Sequence, residues 1–126
     1  VAREGGGGGV GGVDWVGGRC TALTADTPAR GCRTGGLPGP AIRPLAVHLA
    51  HPAARAVSSP VVGVGGIART EDALEFLVAG CAAVQVGTAT FVNPRAIAAI
   101  HDGIAAHLES RGFSSLADLP RYLPRD

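Results

Sequence analysis

Lysine is absent from this chain, aromatic residues make up only 4% of its 126 positions, and no Arg-rich run occurs. The formal charge is only +1 and the sequence has no cluster of basic residues. Electrostatics therefore gives no reason to expect nucleic acid or an acidic membrane surface as a partner. With so few aromatic rings, the core must consist of small aliphatic side chains, for which the 46% apolar content is sufficient.

Segments that cross or enter a membrane are also missing from the sequence. It has no run of about 18 apolar residues, and no basic stretch followed by an apolar one at the N-terminus. The cysteines Cys20, Cys32 and Cys81 are odd in number and form no C-x-x-C pair, so a disulfide framework is not expected. The sequence therefore predicts a cytoplasmic protein. Because it begins at Val1 rather than at Met, we also expect residues upstream.

Glycine dominates the beginning of the chain, where it occupies nine of the first eighteen positions. Such a glycine tract is typical of a flexible linker. A short strand over 13–16 is possible, and residues 17–39 show no period and predict a long loop. We therefore divide the chain into a Gly-rich segment, 1–33, and a structured part, 34–126.

The structured part begins with a helical pattern after Pro40. The spacing predicts a helix with a kink or an early stop at Pro52. The residues expected on its buried face are Ile42, Leu45, Ala46 and Leu49.

Strand and helix signals then alternate. Apolar β-branched runs predict strands over 61–65 and 83–87. Thr70 is the expected N-cap of the helix between them, and Gly80 its terminator. A further helix should open at Asn93–Pro94, and a short last one should cover 115–123. The order β-α-β-α with short connections predicts parallel strands.

Both predicted strands break into small residues at their C-terminal ends. A phosphate needs several N–H donors at close range, and backbone amides converge best where no Cβ intrudes, as at Gly65, Gly66 and Gly87. Thr88 adds a hydroxyl donor, and the helices starting near Thr70 and Asn93 are expected to direct their positive ends there. One Gly-Gly pair alone is more often an ordinary turn. The repetition on successive units favours a phosphate site.

Three stretches carry a resemblance to a known family. They are the segment from Thr34 to Ala46, the Gly65–Gly66–Ile67 turn with the helix after it, and the segment from Val84 to Pro94. Together they resemble the C-terminal part of dihydroorotate dehydrogenases, and more narrowly the class 1 enzymes of the NAD-linked subclass. The resemblance implies an α/β fold, namely about strands 6–8 of a TIM (β/α)8 barrel with their helices. A whole barrel needs about 250 residues, so this chain can hold at most half of one.

The resemblance also implies FMN as cofactor. Pro38 replaces the family's usual serine, and Arg43 its usual lysine. The family's substrate-contacting Asn-Thr pair falls on Asp14 and Trp15, where a carboxylate and an indole fit an orotate pocket poorly. The positions that match flavin contacts of the family are Gly39, Gly65, Gly66, Gly87, Thr88 and Val13.

The residues that perform the family's reaction have no match here. The reaction removes a proton from dihydroorotate and passes a hydride to FMN, and the family's cysteine base and lysines lie earlier in its chain. By resemblance, the parent enzyme makes orotate for pyrimidine biosynthesis with an electron-transfer subunit that carries FAD and an iron–sulfur cluster. Three strands cannot close a barrel, so the isolated chain should be inactive, unstable or oligomeric, with weak FMN binding.

Two other interpretations stay open. One is a related flavin barrel of the dihydropyrimidine dehydrogenase type, and the other is a non-catalytic remnant that binds a phosphate group or nothing. A metal site is not expected, because His48 and His51 share a helix without a third ligand nearby. Cys81, between a helix end and a strand, is interpreted as a packed small hydrophobe.

Overall fold

The computed structural model describes residues 4–5, 9–11, 16–18, 21–22, 27–28 and 34–121. The predicted site residues Val13, Asp14 and Trp15 lie outside these ranges, as do Cys20 and Cys32. In chain order the strands are β1 (Glu4–Gly5), β2 (Gly9–Gly11), β3 (Val16–Gly18), β4 (Thr21–Ala22), β5 (Thr27–Pro28), β6 (Gly35–Leu37), β7 (Val61–Val64) and β8 (Ala83–Gln85). The α-helices are α1 (Arg43–Ala56), α2 (Thr70–Val78), α3 (Ala89–Val92) and α4 (Ala96–Ser110), and 3-10 turns cover Pro40–Ile42 and Leu116–Asp118.

The largest sheet in the described ranges has the order β1-β2-β7-β8. β7 pairs in parallel with β8, with Val62 opposite Ala83, so the predicted parallel β-α-β arrangement and the α/β class are confirmed. β2 also pairs in parallel with β7, while β1 is antiparallel to β2. The predicted glycine linker therefore contributes strand residues to the sheet.

The prediction of a long loop over 17–39 is wrong in part. β3 pairs antiparallel with β6, and β4 with β5. These ladders form between backbone groups of Gly-, Thr- and Pro-containing segments, which show no side-chain alternation that would reveal a strand.

Helix α1 continues past Pro52 and ends only at Ala56, so the predicted early stop does not occur. Pro52 is exposed, and water can therefore satisfy the carbonyl group that the missing N–H leaves without a partner. The predicted buried face is wrong in part, because Leu45 and Leu49 are 52% and 42% exposed. The buried residues of this region are Ile42, Ala46 and Ala50.

Helix α2 covers the core that lies between it and the sheet. Phe76 is fully buried, and a Cβ added to Gly63 of β7 would lie 2.6 Å from its ring, so a bare backbone makes room for the phenyl group. Cys81 belongs to this core with 4% exposure, as predicted, and burial raises the pKa of its thiol. The helix ends as expected, since Gly80 has φ 111° and its N–H donates to the Leu77 carbonyl at 3.1 Å.

The helix boundaries differ from prediction in three places. Arg69 rather than Thr70 is the N-cap of α2. After β8 the chain first forms the short helix α3, so α4 begins at Ala96 and not at Asn93–Pro94. The last predicted helix is a single 3-10 turn. Within the described ranges, no helix has the length and apolar character that spanning a bilayer requires.

Candidate phosphate-binding site

A cavity of about 460 Å³ lies at the carboxyl ends of β7 and β8. Both predicted turns open into it, as does the segment before α1. The described residues that line it are uncharged and are Gly36, Pro38, Val64, Gly65, Gly66, Ile67, Gln85, Gly87 and Thr88. Among these described residues the side chains that can donate a hydrogen bond are the carboxamide of Gln85 and the hydroxyl of Thr88.

The first turn follows β7 directly. Gly65 and Gly66 have φ values of 124° and 73°, which residues other than glycine rarely adopt. A Cβ on Gly66 would also lie 2.8 Å from the backbone N of Arg43 and 2.8 Å from the carbonyl O of Gly39. The fold itself therefore requires glycine at position 66, because this turn packs against the start of α1.

The second turn, Gly87–Thr88, is built differently. The Gly87 carbonyl accepts hydrogen bonds from the Thr90 N–H at 3.0 Å and the Thr90 hydroxyl at 2.7 Å, which fixes the entry into α3. Gly87 has no positive φ, and a Cβ built on it would meet no atom within 4 Å. Among the described residues nothing around Gly87 demands glycine, and Gly87 is one of the residues that line the cavity.

Gly39, which was predicted to contact the cofactor, is not among the described residues that line the cavity, and its carbonyl O lies next to Gly66 of the first turn. It is buried with φ 87°, and its carbonyl accepts the Ile42 N–H at 3.1 Å. The lining residues from this segment are Gly36 and Pro38.

Sequence reasoning missed several lining residues, including Gly36 and Gln85. Gln85 had a visible signal, because it is the one polar side chain between Val84 and Val86 in an otherwise apolar run. Gly36 had no such signal in the sequence, because it is one of many glycines in this part of the chain. Its position in the structure depends on the pairing of β6 with β3.

A buried carboxylate lies behind the first turn. Asp72 is 4% exposed, and its Oδ2 accepts the N–H groups of Ala68 at 2.9 Å and Arg69 at 3.0 Å. Its Oδ1 pairs with the Arg43 guanidinium, whose Nε lies 3.2 Å from Oε2 of Glu75. Burial alone raises the pKa of Asp72, but the two amides and the guanidinium outweigh it and hold that pKa below its ordinary value.

This arrangement changes what the start of α2 can offer to an anion. Asp72 already accepts two of the amides there, and its negative charge offsets the positive end of the helix. The expected contribution of α2 is thereby reduced.

A second cavity, of about 310 Å³, lies at the C-terminal ends of α1 and α2, with His51, Arg55 and Arg121 in its wall. Helix C-termini carry negative partial charge, which these basic groups compensate, so no anion site is assigned there. The His51 Nδ1 lies 3.1 Å from the Ala79 carbonyl O, consistent with an N–H donor at that atom. Across 34–121 and the shorter described stretches, no three His, Cys, Asp or Glu side chains come together as metal ligands.

Parallel strands that end in glycine turns around a shared cavity define an α/β protein with a ligand site at the strand ends. Residues 15–108 match the family model described as dihydroorotate dehydrogenase. The chain belongs to the dihydroorotate dehydrogenase family, so the family predicted from the sequence is confirmed.

Individual relatives agree with this assignment. The chain is 49% identical over 86 residues to the catalytic subunit of dihydroorotate dehydrogenase B (NAD(+)) from Caldicellulosiruptor saccharolyticus, which covers 68% of this chain and 29% of the relative. The subunit of the same name from Pelobacter propionicus is 42% identical over 107 residues, covering 85% and 35%. That from Trichlorobacter lovleyi is 52% identical over 86 residues, covering 68% and 28%. The chain thus spans about a third or less of the length of these relatives.

Proposed function

We propose that residues 34–121 are C-terminal β/α units of a (β/α)8 barrel and supply the phosphate-binding part of an FMN site in a dihydroorotate dehydrogenase. The single observation that carries the proposal is that the Gly65–Gly66 turn and the Gly87–Thr88 turn line one cavity. In (β/α)8 barrels a phosphate is frequently held by the loops after the last two strands.

The residues present fit the phosphate end of FMN. The cavity lies within the range typical of small-molecule sites, and a phosphate can approach the Gly87 backbone because no Cβ stands in the way. Amides of both turns, the Thr88 hydroxyl and the Gln85 carboxamide are the available donors. When bound, FMN supplies a hydride acceptor, while the residues of this chain bind and orient its phosphate.

The parent enzyme in this proposal oxidises dihydroorotate to orotate in pyrimidine biosynthesis. We assign no catalytic residue to the described part of the chain. The proposed partner is an electron-transfer subunit with FAD and an iron–sulfur cluster, which agrees with the words "catalytic subunit" in the names of the relatives. The substrate contacts proposed at Asp14 and Trp15 belong to the part outside the described ranges.

Flavin binding to the purified 126-residue chain tests the phosphate site. Fluorescence titration with FMN and with riboflavin, which lacks the phosphate, should show weak binding in which FMN is preferred by about tenfold or more, the gain expected from charge-assisted hydrogen bonds. Equal affinities for the two flavins would contradict the proposal and favour the non-catalytic remnant.

A pair of chimaeras tests the enzyme assignment. The host is the Pelobacter propionicus relative, which this chain matches over 107 residues. In the first chimaera residues 34–121 replace the corresponding part of that relative, and in the second the replacement is extended upstream to residue 13. The first should bind FMN and oxidise dihydroorotate. The second should keep FMN but bind dihydroorotate less well, because it introduces Asp14 and Trp15. A first chimaera that folds but takes up no FMN would contradict the assignment.

A further inference from the structure

The buried Asp72 carboxylate is not among the residues that line the cavity, yet it bonds to both segments that support the first turn. On one side it accepts the amides of Ala68 and Arg69, which follow the cavity-lining residue Ile67 directly in the chain. On the other side it pairs with Arg43, the first residue of α1.

The start of α1 is in turn the surface on which the first turn rests. The backbone N of Arg43 lies only 2.8 Å from the point where a Cβ of Gly66 would stand. If Arg43 shifts, the support beneath Gly66 shifts with it. The Arg43 guanidinium donates to Asp72 on α2, and it also lies within ion-pair distance of the exposed Glu75 on the same helix.

We propose that Asp72, through Arg43 and the Ala68–Arg69 amides, positions the Gly65–Gly66 turn so that its amides converge on the flavin phosphate. Asp72 is a positioning residue that does not touch the ligand. The inference rests on the proposed function for the identity of the anion. The bonds from Asp72 to Arg43, Ala68 and Arg69, called the clamp below, are a property of the chain itself.

Two readouts in the full 126-residue chain test this clamp, and one of them needs no ligand. Asp72→Asn removes the charge and keeps the size of the side chain. Glu71→Gln is the matched control, because Glu71 is the exposed neighbour in the same first turn of α2. Amide-resolved hydrogen exchange is compared at residues 65–69 and, as an internal reference, in α4.

We expect Asp72→Asn to speed exchange at 65–69 by about tenfold, the effect of losing charge-assisted hydrogen bonds, while α4 and the Glu71→Gln protein stay unchanged. Faster exchange at 65–69 and in α4 alike would show a general stabilising role and overturn the proposal. Unchanged exchange at 65–69 would overturn it as well.

The second readout is the affinity for FMN relative to riboflavin. Asp72→Asn should weaken FMN by about tenfold and leave riboflavin nearly unchanged, because only the phosphate donors are displaced. Arg43→Lys, which keeps a cation facing Asp72 and restores the residue usual in the family, should retain most of the preference for FMN. Equal losses for both flavins would overturn the proposal. If the wild type itself shows no preference for FMN, the proposed function fails, and hydrogen exchange still decides whether the clamp exists.

Discussion

The two glycine turns of the cavity look equivalent in the sequence but differ in what requires their glycines. Gly66 has a positive φ, and backbone atoms of Gly39 and Arg43 fill the space where its Cβ would stand. Gly87 has neither constraint, since its side-chain position faces open space. The first glycine is required by the folded chain. The second has no such requirement among the described residues, so its substitution tests ligand binding with less effect on the fold.

The largest expected effect separates the two turns by stability. Gly66→Ala should lower the free energy of unfolding by about 2–4 kcal/mol, because strain at a positive φ and overpacking against backbone both apply. Gly87→Ala should stay within about 0.5 kcal/mol of wild type, as expected at an unconstrained surface position. Urea denaturation of the three proteins measures the difference. A Gly66→Ala protein as stable as wild type would end the distinction between the turns.

Acid should reduce the stability that Asp72 contributes next to the first turn, and it should not change the contribution of the second turn. The folded pKa of Asp72 lies below its ordinary value of 3.8, so its stabilisation is complete above that value and is lost as pH falls below it through the folded pKa. At pH 7, Asp72→Asn should cost about 1–3 kcal/mol through the lost charged hydrogen bonds.

Urea midpoints at pH 7 and pH 3 test this dependence. The gap between wild type and Asp72→Asn should narrow at pH 3, whereas the gap between wild type and Gly87→Ala should not change. A gap for Asp72→Asn that is the same at both pH values would show that the carboxylate charge contributes nothing.

The affinity for FMN should depend on Gly87 in the second turn. A methyl group on Gly87 occupies space that a phosphate needs, so Gly87→Ala should weaken FMN by about tenfold, equivalent to about 1.4 kcal/mol. Riboflavin should bind the variant as it binds wild type. If FMN binding survives unchanged, the open space beside Gly87 does not receive the phosphate.

The smallest expected effect is at Thr88. Thr88→Val removes one hydroxyl donor and keeps the shape of the side chain, so FMN should bind about threefold less tightly, near the lower end for one hydrogen bond. Thr88→Ser, which retains the hydroxyl, is the control. A loss in Thr88→Ser with none in Thr88→Val would assign the effect to the methyl group instead.

Much of the region from 61 to 112 follows from local pattern. The apolar β-branched runs identify β7 and β8, and Gly80 ends α2 with the left-handed conformation expected of a glycine terminator. These features depend on residues close together in the chain, so the sequence displays them directly. The glycine-rich beginning gave no such pattern, and the pairing of β2 with β7 is backbone to backbone.

Other features required the packed molecule. In α1 the leucines at 45 and 49 face outward and Ala46 and Ala50 face inward, because a helix that packs closely on its neighbours needs small side chains at the contact. Hydrophobicity alone ranks leucine first, and the sequence prediction failed there for that reason. Asp72 occupies the first turn of α2, where a negative charge is locally favourable, yet its partner Arg43 lies 29 positions away.

The sequence by itself determined that two parallel strands end in glycines that can expose their amides, and which family uses such a pair. Only the tertiary structure decided that both turns line one cavity, and that atoms of Gly39 and Arg43 require glycine at position 66 while no described atom requires it at position 87. The physical reason is that the space around a glycine is set by atoms distant in sequence, whereas its conformational freedom belongs to the residue itself.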